Sequence, residues 1–124
     1  MKAMKMIGCV AISVLGLCMA GCSTPSSADA VTPVENAPFA ARNGKTFAQA
    51  VTTAATHRRW VPEARENGVI RCTFVQRNHK VVVDVVQTSA TTFSVRYVES
   101  NIPARKYDQW VNNLTREIAY QAAK

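Results

Sequence analysis

The sequence predicts an α+β fold: a three-stranded antiparallel β-meander with an N-terminal and a C-terminal helix packed on one face, in the order α-β-β-β-α. Three observations carry this expectation. Valine-rich runs between residues 70 and 98 alternate side to side, the period of half-buried strands. Apolar residues recur at helical spacing on both flanks of that block. The links between the runs are short and polar, so consecutive strands are expected to pair as antiparallel neighbours.

The first helix is expected from Thr46. Thr46 and Gln49 have the spacing of a capping box, in which hydroxyl and amide satisfy free backbone donors reciprocally. Phe47, Val51, Ala54 and Ala55 then share a face. His57, Arg58 and Arg59 place cations in the last turn, where they complement the helix dipole, and Pro62 is expected to stop the helix. Asn67-Gly68 signals a turn. In the first strand Ile70, Cys72 and Phe74 alternate with Arg71, Thr73 and Val75. Residues 77–80 read as a hairpin turn, with Asn78 suited to a left-handed conformation. Val81, Val83 and Val85 alternate with Val82, Asp84 and Val86, and Phe93, Val95 and Tyr97 with Ser94, Arg96 and Val98. The odd-numbered residues of the last two strands, with Ile70, Cys72 and Phe74, are the expected core face. The last helix spans roughly 103–121, with Pro103 near its first turn and Tyr107, Trp110, Val111, Leu114 and Ile118 as its apolar stripe.

The beginning of the chain reads as an export signal. Lys2 and Lys5 precede an uncharged, mostly apolar run from Met6 to Ala20. That run falls short of the roughly 20 residues a membrane-spanning helix needs. Met19-Ala20-Gly21-Cys22 resembles the lipobox of bacterial lipoproteins. The resemblance implies cleavage before Cys22, a diacylglycerol on its thiol and acylation of the new amino terminus. Ser23 after that cysteine, rather than aspartate, implies the outer membrane by enterobacterial sorting rules, with the domain on the periplasmic face. The expected organisation is a signal peptide over 1–21, a lipidated flexible tether over 22–45, rich in Ser, Thr, Ala and Pro, and an α+β domain over 46–124. Such a tether would span roughly 25–30 Å on average, and about 75 Å fully stretched.

Charge and cysteine content narrow the chemistry. The chain has 15 basic and 8 acidic residues; without Lys2 and Lys5 the balance is 13 against 8, about +5. That suits an anionic membrane surface or an anionic envelope polymer, and equally a solvated basic surface with no specific partner. Nucleic acid is not an expected partner of an exported, anchored chain. Cys9 and Cys18 would leave with the signal, and Cys22 would carry lipid, so Cys72 alone stays in the domain. One cysteine supports neither an internal disulfide nor a metal cage. His57 and His79 lack metal-ligand spacing, Ser100 lacks a recognisable base, and no glycine-rich phosphate loop exists. Neither a cofactor nor an enzymatic activity is expected.

A second resemblance covers about residues 46–118. Trp60, Gly68-Val69-Ile70, the valine strand, the run Ser94 to Asn101 with its Tyr97-Val98-Glu99-Ser100, and the Tyr-x-x-Trp-Val-x-x-Leu helix of Tyr107, Trp110, Val111 and Leu114 are similar to a group of small proteobacterial lipoproteins. The resemblance implies a fold and an anchor, and names no activity.

Function is expected on the second sheet face, which carries Arg71, Thr73, Val75, Val82, Asp84, Val86, Arg96 and Val98. Four valines there exceed what a solvated face requires, so Arg71, Val75, Val82, Asp84, Val86, Arg96 and Val98 form the candidate interaction face. Ion pairs among Asp84, Arg71 and Arg96, with valines chosen only for strand propensity, are the plainer account. Trp60 and Trp110 are expected in the core rather than in a ligand site. The favoured expectation is an envelope interaction or accessory protein acting through the open sheet face or an edge strand. The alternative is a binding module for an envelope ligand such as peptidoglycan or lipopolysaccharide.

Overall fold

The computed structural model describes residues 27–124. The signal peptide, the lipobox-like run and Cys22 lie outside the described residues. The elements are β1 (Val34–Pro38), α1 (Phe47–His57), β2 (Val61–Ala64), β3 (Ile70–Gln76), β4 (His79–Ser89), β5 (Thr92–Ser100) and α2 (Ala104–Ala122), with one 3-10 turn at Glu66–Gly68.

The sheet has five strands in the order β1-β5-β4-β3-β2, every neighbouring pair antiparallel. This corrects the three-stranded expectation. The meander β3-β4-β5 is present at its centre, and both edge strands come from segments with weak strand signals. Val34-Glu35-Asn36-Ala37-Pro38 is poor in β-branched residues and sits inside the segment expected as tether. Its order comes from pairing, with Val34 opposite Val95 and Ala37 opposite Phe93. Val61-Pro62-Glu63-Ala64 contains a proline, which a sheet accepts only where its missing donor is not needed, as at an edge. Val31 and Phe39, flanking β1, are both buried in the core.

Helix α1 starts with the expected capping box: Gln49 N–H donates to Thr46 Oγ1, and Thr46 N–H donates to Gln49 Oε1. It does not run on to Pro62. Arg59 takes a left-handed conformation (φ 69°), Arg59 N–H donates to Thr56 O, and Trp60 N–H donates to Ala55 O. This is a Schellman termination with arginine where glycine is usual, and it hands the chain to β2. In the β3–β4 hairpin the left-handed residue is Arg77 (φ 57°), not Asn78.

Both helices cover the same sheet face. Ile70, Cys72, Val81, Val83, Val85, Phe93 and Val95 are buried beneath Val51, Ala54, Ala55, Tyr107, Val111, Leu114 and Ile118. Phe74, Tyr97 and Trp110 are partly buried against this core. The inward set is therefore the one that alternation identifies. No helix among the described residues is long and apolar enough to cross a membrane.

Candidate interaction face

Strand register builds the outer face row by row. Glu63 lies opposite Arg71, Arg71 opposite Asp84, and Asp84 opposite Arg96. Four strands thus place one residue each in a single row whose charges alternate: minus, plus, minus, plus. The inner two close on each other. Arg71 Nε donates to Asp84 Oδ1 (2.8 Å) and Nη2 to Oδ2 (3.0 Å), a two-pronged contact between half-buried groups. The hydrogen bond to Asp84 raises the guanidinium's pKa further. Arg96 is exposed and makes no ion pair among the described residues.

The next row is Val61, Thr73, Val82 and Glu99. The pairing shifts between Val82 and Val83, which face Glu99 and Tyr97, so Val98 is the extra residue of a β-bulge. Val98 is half-buried there rather than directly opposite Val82. Val82 is only 6% exposed, Val86 is half-buried, and Val75 is 63% exposed. The candidate face is thus continuous, but its valines are not equivalent. Val75 is presented to solvent, while Val82 is shielded within its own face.

Two members of this face escaped sequence reasoning. Glu63 completes the charge row and Val61 is 67% exposed beside Thr73. Both sit in β2, whose four residues carry too little alternation to be read as a strand. At the other end of the face Ser94 is fully buried: Asn36 N–H donates to Ser94 Oγ, and Ser94 Oγ donates to Glu35 Oε1.

A second polar cluster lies on the helical side. Glu117, 6% exposed, accepts from Arg58 Nε (3.2 Å) and Gln121 Nε2 (2.7 Å), and lies 3.1 Å from His57 Nδ1. Burial pushes its carboxyl up, but Gln121, His57 and Arg58 together hold it below its ordinary value. The visible signal was His57-Arg58 at a helix end; nothing in the sequence says that Glu117, on the far helix, meets them. Next to it, Arg58, Trp60, Phe74, Gln76, Trp110 and Asn113 line a cleft of about 190 Å³. Trp60 is buried and Trp110 half-buried, with Phe74 between them at 5.4 and 4.7 Å. Both tryptophans are therefore chiefly packing residues.

The remaining candidates are structural. Burial pushes the Cys72 thiol up to about 12, so it stays protonated. Ser100 Oγ accepts from Ile102 N–H, and Asn101 joins the strand ends through Lys80 N–H and Asn78 O. Among the described residues no three His, Cys, Asp or Glu side chains gather as metal ligands. No protein-family profile, curated protein or solved structure matches this chain.

Proposed function

We propose that the protein is a lipid-anchored envelope component that acts by binding, not catalysis, through the outer face of its sheet. One observation carries this reading. Both helices lie on one side, and the other side presents Val61, across from Thr73, and Val75, the next outward residue along Thr73's strand, both largely exposed and near a row of alternating charges. A free surface gains nothing from two such valines together, whereas an interface core does. The edges are less suited to recognition. β1 has five residues, a left-handed Asn36 and a terminal Pro38, and β2 has four residues and Pro62, the devices that block strand addition.

The test is Val75→Lys. At an exposed position its cost to folding should stay within about 0.5 kcal/mol. Crosslinking in living cells from a photoreactive residue at Thr73 should yield a defined product that Val75→Lys removes. Unchanged product with intact folding would refute the face. The anchor is tested separately: Cys22→Ser should abolish fatty-acid labelling.

A second reading has one observation in its favour. The cleft beside Trp110 combines aromatic rings with Arg58 and the amides of Gln76 and Asn113, a set suited to a sugar of an envelope polymer. Co-sedimentation with peptidoglycan that Trp110→Ala abolishes, with folding retained, would favour it over the sheet face.

A further inference from the structure

We propose that the occupant of the outer sheet face is a second copy of this chain, in a two-fold dimer of face-to-face sheets. The inference rests on reading that face as an interaction surface, and it names the partner. The charge row carries it. Glu63, Arg71, Asp84 and Arg96 stand at successive strand positions. A two-fold axis between two facing sheets, parallel to the strands, reverses the row. Glu63 then lies over Arg96 of the second copy, Arg71 over Asp84, Asp84 over Arg71 and Arg96 over Glu63. Every charge meets its opposite. An axis along the row would instead set each charge over its own copy, so the pattern selects one geometry. An isologous contact needs this kind of self-complementary patch.

The state of the four groups within one chain fits the same arrangement. Arg71 and Asp84 are already joined by two hydrogen bonds. The outer two are not joined. Among the described residues Glu63, 66% exposed, pairs with Arg65 at 3.6 Å and also acts through its charge on Arg71, while Arg96 forms no ion pair. The second copy supplies a partner for Arg96 and a further one for Glu63. In the neighbouring row the same reversal sets Thr73 against Val82 and Val61 against Glu99 beside the Val98 bulge, so the apolar contact there is limited to the valines and the Thr73 methyl.

The available area sets the strength. With the axis between β3 and β4, only β2 to β5 face the second copy; four strands about 4.8 Å apart, over about seven residues at 3.3 Å each, give roughly 440 Å² per copy and about 900 Å² in all. That falls just short of the roughly 1,000 Å² of a stable specific interface and lies in the range of weak, transient contacts. The dimer is therefore weak in free solution, and the charges set partner choice and register more than affinity. Anchoring both copies in one membrane would raise their effective concentration.

The experiment uses full-length lipidated chains in phosphatidylcholine vesicles, donor- or acceptor-labelled at a Gln109→Cys site. Energy transfer reports association. Glu63→Arg alone and Arg96→Glu alone should each lower the association constant at least tenfold, because each places two like-charged pairs across the interface. Mixing the two single variants should restore transfer to within about threefold of the parent. In that heterodimer the two reversed positions face each other with opposite signs, and the unchanged Arg96 of one copy still faces the unchanged Glu63 of the other. Thermal unfolding checks that each variant folds; should either reversal unfold the domain, Arg96→Gln and Glu63→Gln replace them, with smaller losses expected. Absence of transfer in the parent, losses without recovery on mixing, or transfer indifferent to both reversals would overturn the dimer. If the parent gives no transfer while Val75→Lys still removes a crosslink to a different protein, the sheet-face reading survives and the self-association does not.

Discussion

Arg59 holds a backbone conformation that its side chain disfavours, at φ 69°. The Schellman termination of α1 requires that conformation, and glycine adopts it at no steric cost. Arg59→Gly should raise stability by about 1 kcal/mol, read from denaturant midpoints at constant slope. A loss instead would mean that the arginine side chain contributes more than its backbone costs. Glu117 is the second informative residue. Its carboxyl titrates below the ordinary value when folded, so its contribution is fully present above the ordinary carboxylate range and is lost as pH falls through the lower, folded value. Glu117→Gln should cost about 1–3 kcal/mol at neutral pH, and the deficit relative to the parent should vanish in strong acid. A deficit independent of pH would assign the loss to packing. Neither feature was legible in the sequence. The first depends on a single dihedral angle, and the second on how two helices sixty residues apart come to lie side by side.

Among the elements, β1 is the one that local sequence most undervalues. Its five residues favour no strand by composition, yet Val31, Val34, Ala37 and Phe39 close one side of the core, and Phe39 N–H donates to Thr91 O. A chain beginning at Phe39 would leave β5 as an uncovered edge and should lose more than about 3 kcal/mol, by the apolar burial removed. Its measure is thermal unfolding, with hydrogen exchange at Phe39 in the intact chain as a second check. No loss would return the segment to a tether. The opposite holds for α1 and α2. Capping box, apolar stripe and length made both legible, because a helix satisfies its own backbone and shows its buried face at a fixed local period. Trp60 is buried in the core as expected, whereas Trp110, also expected there, is only half-buried against it. Trp60→Ala should cost about 3–5 kcal/mol and half-buried Trp110→Ala less, about 2–3 kcal/mol.

For the whole molecule, the placement of residues 28–32 changes how an anchored domain would sit. Thr32 N–H and Oγ1 donate to Asp108, and Ala28 lines a concavity with Tyr97 and Tyr107. If Cys22 carries the lipid, five residues separate it from Ala28, a reach of at most about 22 Å. A compact domain of this size is roughly 32 Å across, so the corner at the start of α2 would face the membrane. A fluorophore at Gln109 should then be quenched by headgroup-quencher lipids in vesicles, and one at Asn43, tied to Lys124 O at the far end of α2, should not. Equal quenching at both sites would contradict this orientation.

The central meander, its inward-facing valines, both helices and the outward candidates Arg71, Val75, Asp84 and Arg96 could be read from the residues alone. Each of these follows from a local period of two or 3.6 residues, which side-chain polarity records directly. That Val34–Pro38 and Val61–Ala64 are strands, and that Glu63 aligns with Arg71, Asp84 and Arg96 in one row, emerges only from the folded arrangement. Short edge strands are held by the ladder of a neighbour rather than by their own residues, and register between strands is a non-local quantity that no single segment encodes.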